Sequence, residues 1–167
     1  MAGGFGTRLK PLTNNLPKPM VPMGNRPMME HIIELLKKYS ITDLTALLYF
    51  QPESITDYLG DGRAFGVKLD YITTTVDLGT AGSVGRAMRK WGNPSTTLVI
   101  SGDVLTDIDL NKAVEFHEKS RSIATIVLTR VENPLAFGIV ITDKDGNITR
   151  FLEKPGWGEV FSDTINT

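Results

Sequence analysis

The chain contains no cysteine, which excludes disulfides, thiolate metal sites and cysteine nucleophiles and fits a cytoplasmic protein. It has only two histidines, His31 and His117, far apart on predicted helices, so the sequence offers no ligand set for structural zinc. No apolar run approaches the ~20 residues of a membrane span, and no membrane partner is expected. Residues 1–13 are glycine-rich and polar rather than apolar, so no secretory leader is expected. There is no long basic block, and the net charge is -1; nothing forms the electrostatic footprint of a nucleic-acid binder. Internal repeats, low-complexity tracts and linkers are absent as well, and residues 1–167 are read as one domain. The 167 residues are 41% hydrophobic, enough for a sizeable core.

Periodicity then assigns the elements. Residues 2–27, rich in glycine, proline and asparagine, read as a long ordered loop with one short strand at 20–23; a loop of this length is functional or disordered. Pro27 opens a helical pattern in which Met28, Met29, Ile32, Ile33, Leu35 and Leu36 share a face. Residues 44–50 form an almost unbroken apolar run, the mark of a strand buried on both faces in a parallel sheet. Helices are predicted at 53–59, 80–91 and 110–119, and strands at 67–72, 97–100 and 123–129. Asp109 is the expected cap of the third of these helices. The sequence TDKDGN at 142–147 joins residues 137–141 and 148–151 as a β-hairpin. Alternating strands and helices followed by strands define an α/β fold, with a mostly parallel sheet and a late antiparallel addition.

Four stretches carry candidate chemistry. In AGGFGTRLKPLTNNLPKPM, from Ala2 to Met20, glycines let backbone N–H groups approach an anion. Arg8 offers a planar fork for phosphate oxygens, and Lys18 is held between Pro17 and Pro19, as suits a site where charge develops. A flexible turn with ordinary surface charge explains the glycines equally well. LGTAG, from Leu78 to Gly82, opens a helix with small residues. SGDVLTDIDL ends the predicted strand at 97–100 on Asp103, where open α/β sheets bind ligands. A carboxylate there can hold Mg²⁺ together with phosphate oxygens, or it can simply cap a turn; Asp107 and Asp109 are weaker candidates. In FLEKP, Glu153 and Lys154 are either a sugar-phosphate contact or a solvated pair at a strand end.

The string GG-x-GTRL-x-PLT-x4-PKPM resembles the signature loop of the sugar-1-phosphate nucleotidyltransferases, and the other motifs follow in that family's order across the whole chain. The overall run is similar to bacterial mannose-1-phosphate guanylyltransferases. The resemblance implies a doubly wound, Rossmann-like sheet of the nucleotide-diphospho-sugar transferase type. It implies transfer of a nucleotide from a nucleoside triphosphate, GTP favoured, to a sugar 1-phosphate, mannose 1-phosphate favoured, with Mg²⁺ as cofactor. Glucose 1-phosphate with UTP or dTTP is the alternative. Arg8, Lys18 and Asp103 would be catalytic, with Asp103 also the metal ligand. Ala2, Gly3, Gly4, Gly6, Thr7, Leu78, Gly79 and Thr80 would bind the nucleotide. Gly138, Glu153, Lys154 and Asn166 would bind the sugar phosphate.

Three departures from the family pattern shape the remaining expectations. No hydrophobic strand precedes the glycine loop, and the chain stops soon after SDTINT. The fold is therefore expected to be incomplete at both ends, with a single metal carboxylate and negligible turnover by this chain alone. It is then read as a fragment or as a nucleotide-binding or subunit-contact module, and unpaired strand edges invite homo-oligomerisation, a dimer being favoured. Finally, the stretch before LGTAG carries Thr73, Thr74, Thr75 and Asp77 where the mannose enzymes usually have a glutamate and a proline, which bears on base selection.

Overall fold

The computed structural model describes residues 1–3, 6–92, 96–131, 133, 137–153 and 164–166, the last three and Arg8 and Glu153 by their backbone. They fall into two compact units, Met1–Ile108 and Asp109–Thr167.

In the first unit, 3-10 turns at Thr7–Leu9 and Lys18–Met20 lead to a two-residue antiparallel ladder of β1 (Pro22–Met23) and β2 (Arg26–Pro27). The strand predicted at 20–23 is thus half helical turn, because Met20 N–H and Val21 N–H fold back onto the carbonyls of Pro17 and Lys18. Helix α1 (Met28–Lys38) follows directly, with Pro27 as its capping residue, and places Met29, Ile32, Ile33 and Leu36 in the core. Then come β3 (Asp43–Leu48), α2 (Pro52–Leu59), β4 (Lys68–Thr73) and α3 (Gly79–Trp91).

Strands β3 and β4 pair in parallel, Asp43 opposite Lys68 through Leu48 opposite Thr73. Successive side chains of a strand point to opposite faces. Ala46 and Leu48 accordingly join Met29 and Ile33 of α1, Ile55 and Leu59 of α2, and Leu69 of β4 in one buried cluster. Leu47 and Ile72 pack on the other side against Ala87 of α3, with Met1 and Val84 alongside. Burial on both faces explains why the β3 sequence lacks polar alternation.

The strand predicted at 97–100 does not form; Leu98 and Val99 are exposed. A strand requires a ladder partner, and among the described residues the backbone bonds at the end of this stretch run to Met1. The Met1 amino group donates to the Ile100 carbonyl at 2.9 Å, and Gly102 N–H donates to the Met1 carbonyl at 2.7 Å. Ala2 N–H in turn donates to the Leu47 carbonyl at 2.9 Å, and Ala2 bridges Leu48 in parallel. Residues 1 and 2 therefore stand between β3 and the 100–102 segment, in the position of a central strand.

The second unit opens with α4 (Leu110–Ser120), whose cap is Asp109: its Oδ1 accepts from the N–H groups of Asn111 and Lys112 at 3.1 and 3.3 Å. Asp109→Ala is expected to destabilise this unit by about 1 kcal/mol, measured as the loss of helical circular dichroism at lower denaturant. Strands β5 (Leu128–Arg130), β6 (Gly138–Thr142), β7 (Ile148–Glu153) and β8 (Thr164–Asn166) form a sheet in the order β5-β8-β6-β7, all pairs antiparallel. Of the strand predicted at 123–129 only the end forms, where β8 supplies a partner; Ile123 is fully exposed. The predicted hairpin is present, and its turn is closed by Asp143, which accepts from Asp145 N–H, Asn147 N–H and the Asn147 side-chain amide. These bonds, the Asn147 amide first, hold the Asp143 carboxyl below its ordinary range.

Candidate functional site

The loop before α1 is locked by its own residues. Gly6 has φ 60°, in the left-handed region, and a Cβ there would lie 2.9 Å from the Thr13 methyl and 3.0 Å from the Lys18 Cβ. Glycine is therefore required on both counts. Thr13, 2% exposed, donates its hydroxyl to the Gly6 carbonyl at 2.7 Å. Pro17 and Pro19 are fully buried, so the backbone on both sides of Lys18 is fixed while its side chain stays partly exposed.

Lys18 reaches Asp103: its Nζ lies 2.8 Å from Oδ2, with the two side chains 30% and 28% exposed. Asp103 lines a cleft of about 300 Å³ whose walls also include Ala2, Gly3, Leu48, Tyr49, Thr74, Asp77, Leu78, Gly79 and Thr80. It opens where β3 and β4 end, at the carboxyl edge where α/β sheets bind their ligands. Gly3 permits the close approach of the wall, since a Cβ there would stand 3.3 Å from the Tyr49 Cβ. The first turn of α3 adds the positive end of a helix dipole. Burial lowers the Met1 α-amine below its ordinary range, while the Asp103 carboxylate pulls it back upward.

Of the residues predicted to bind nucleotide, Ala2, Gly3, Leu78, Gly79 and Thr80 line this one cleft together with Asp103. Gly6 and Thr7 belong to the loop that carries Lys18. Arg8 lies in the 3-10 turn, its side chain outside the described residues, and Gly4 also lies outside them. In the second unit Gly138 and Glu153 are paired across β6 and β7, and Asn166 on β8 pairs with Leu128; Lys154 lies outside the described residues.

One feature escaped the sequence reading: Thr13 ties the loop together, and its only signal is its place in the PLT string. Asp77, named in the sequence only as a departure before LGTAG, enters the cleft wall, its Oδ1 accepting from Gly79 N–H at 2.8 Å. Among the described residues no three carboxylate or histidine side chains converge as a metal cage. The cleft carboxylate of Asp103 does fit a cation of the magnesium type, which takes one or two carboxylates and completes its shell with phosphate oxygens and water.

A family model described as "Nucleotidyl transferase" matches residues 1–166. The chain is 37% identical over 159 residues to a probable mannose-1-phosphate guanylyltransferase 1 of Oryza sativa subsp. japonica, covering 93% of this chain and 44% of that one. It is equally 37% identical over 181 residues to a UTP–glucose-1-phosphate uridylyltransferase of Synechocystis, covering all of this chain and 46% of that one. Among solved structures, a putative glucose-1-phosphate thymidylyltransferase from Bacillus anthracis, in complex with a sucrose, superposes with a TM-score of 0.88 at 30% identity, over 99% of this chain and 66% of that one. The chain thus spans about half the length of the curated relatives it matches.

Proposed function

Because the chain belongs to the nucleotidyl transferase family, we propose that it carries the nucleotide-binding part of an enzyme that transfers GMP from GTP to mannose 1-phosphate, releasing pyrophosphate. The observation that carries the reading is the cleft lined by the glycine segment, the first turn of α3 and Asp103, whose carboxylate is paired with Lys18. The choice of mannose and guanine draws on relatives such as the rice protein. Glucose 1-phosphate with UTP or dTTP is the second reading, favoured by the cyanobacterial relative.

In this reaction an oxygen of the sugar phosphate attacks the α-phosphorus in line. The new P–O bond forms as the bond to the bridging oxygen breaks, and pyrophosphate leaves with that electron pair. No covalent bond to the protein is needed, so catalysis is positioning and charge neutralisation. Asp103 would hold Mg²⁺ against the phosphates, and the bound ion would supply charge neutralisation there. Lys18 offsets charge near the α-phosphate and Arg8 on the departing pyrophosphate. Gly138, Glu153 and Asn166 are assigned to the sugar and Lys154 to its phosphate.

Calorimetric titration with GTP, UTP and dTTP, each with Mg²⁺, tests the reading. GTP is expected to bind most tightly, and Arg8→Ala to weaken it by about tenfold or more through loss of a charge-assisted bidentate contact. Tightest binding of UTP or dTTP would transfer the assignment to the second reading; no binding of any of the three would refute a nucleotide site.

A further inference from the structure

Resting on the nucleotide reading of the cleft, we propose that Tyr49 is its aromatic wall, and that the base of the bound nucleotide stacks on the Tyr49 ring. In the sequence Tyr49 stands near the end of the apolar run at 44–50 and reads as core. The structure places it otherwise. It follows the last residue of β3, is half-buried, and lines the cleft, where it is the only aromatic residue among those described. Side chains two apart along an extended strand share a face, and Leu47 packs with Ile72 against Ala87 of α3. Tyr49 therefore projects on the α3 side of the sheet, the side on which Leu78 and Gly79 line the same cleft. Gly3 lies alongside it: a Cβ added there would stand 3.3 Å from the Tyr49 Cβ, so the glycine leaves the space beside the tyrosine open.

The order of segments along the carboxyl edge decides which end of a nucleotide meets Tyr49. Thr74 N–H donates to the Leu48 carbonyl, Ala2 N–H to the Leu47 carbonyl, and Gly102 N–H to the Met1 carbonyl. Followed across these bonds, the cleft residues run Thr74, Tyr49, Gly3, Asp103. Neighbouring strands lie about 4.8 Å apart, so Asp103 stands about 10 Å across the edge from Tyr49. Asp103 and Lys18 form the charged end, and a nucleotide reaches over such a span from its phosphates, through the ribose, to its base. Phosphates drawn to the charged end carry the base to Tyr49 and Leu78, where the wall also includes the apolar side chains of Leu47 and Ile72. Every base has a π-face, so this contact supplies affinity without choosing among bases.

Inorganic tripolyphosphate carries the charge of the triphosphate and no base, so it separates stacking from damage to the charged end. With Mg²⁺ present, the unsubstituted chain, Tyr49→Leu and Tyr49→Phe are titrated calorimetrically with GTP and with tripolyphosphate. Y49L is expected to bind GTP about tenfold more weakly, the worth of one base–aromatic stack, and to bind tripolyphosphate as the unsubstituted chain does. Y49F keeps the ring and should keep the GTP affinity. A GTP affinity unmoved in Y49L, or GTP and tripolyphosphate weakened alike, overturns the inference and leaves the nucleotide site standing. Stacking also has a signature that needs no variant. The fluorescence of 2-aminopurine riboside triphosphate should be quenched as it binds the unsubstituted chain, and binding without quenching overturns the inference even where Y49L does not fold. Failure of the unsubstituted chain to bind either nucleotide overturns the reading of the cleft and the inference with it.

Discussion

Lys18→Met is expected to raise the affinity of the nucleotide-free protein for Mn²⁺ by about tenfold and to lower its affinity for GTP by at least as much. The two effects share one cause. In the free protein the Lys18 ammonium sits 2.8 Å from Asp103 Oδ2, so an arriving divalent cation must displace a positive charge from the carboxylate that would receive it. Both groups are about 70% shielded from water, where attraction between opposite charges is worth more than on an open surface. On the proposed reading, a triphosphate would resolve the competition by offering Lys18 a stronger anionic partner and releasing Asp103 to the cation. Phosphate and cation binding are then coupled, each favouring the other by the same factor. Methionine keeps the length and apolar body of the lysine side chain between buried Pro17 and Pro19 while removing the charge. Asp103→Asn must move the cation the other way, with Mn²⁺ binding weakened by about a hundredfold and GTP affinity made indifferent to divalent ions. Electron paramagnetic resonance of Mn²⁺ and calorimetry with GTP read both variants. A Lys18→Met protein whose Mn²⁺ affinity is unchanged would mean that the ion pair does not guard the carboxylate.

Ile55→Ala is expected to cost about 2–5 kcal/mol of stability, a large share of what a domain of ordinary stability possesses. Ile55 is wholly buried on α2 and packs in the cluster that joins α1 and α2 to β3 and β4. Truncation removes methylene and methyl groups from a core with helices and a sheet on every side, so little can collapse into the space. Since α2 contributes nothing to the cleft wall, the folded fraction should keep its nucleotide affinity. Urea unfolding followed by circular dichroism, with nucleotide titration of the same sample below the transition, checks both. An unfolding midpoint equal to that of the unsubstituted chain would contradict the assigned core.

Three of the helices among the described residues were legible because each writes its own signals. Met29, Ile32, Ile33 and Leu36 fall on one face of α1, Asp109 caps α4, and Gly79 opens α3. Strand β3 was legible from its apolar run, and the hairpin from its Asp-Gly-Asn turn. Strands at 97–100 and 123–129 were overread, since an apolar β-branched run states a preference while a ladder needs a neighbour. Among the described residues the 97–100 segment is bonded at its end, where the Ile100 carbonyl meets Met1, and β5 begins where β8 can bond to it. In the cleft, residue types could be read from motifs, but their pairing could not. That Lys18 meets Asp103 depends on the path of a loop closed by Thr13 and Gly6. That Asp77 turns one oxygen to Gly79 N–H depends on the backbone between β4 and α3.

The central claim is that this cleft receives a nucleoside triphosphate. Its most direct test is a nitrogen–proton correlation spectrum of the chain recorded during titration with GTP and Mg²⁺. The account predicts that the amides of Gly3, Leu78, Gly79, Thr80 and Asp103 shift together along one saturating curve, while those of α2 stay in place. Shifts that gather elsewhere, or none at saturating GTP, would contradict it.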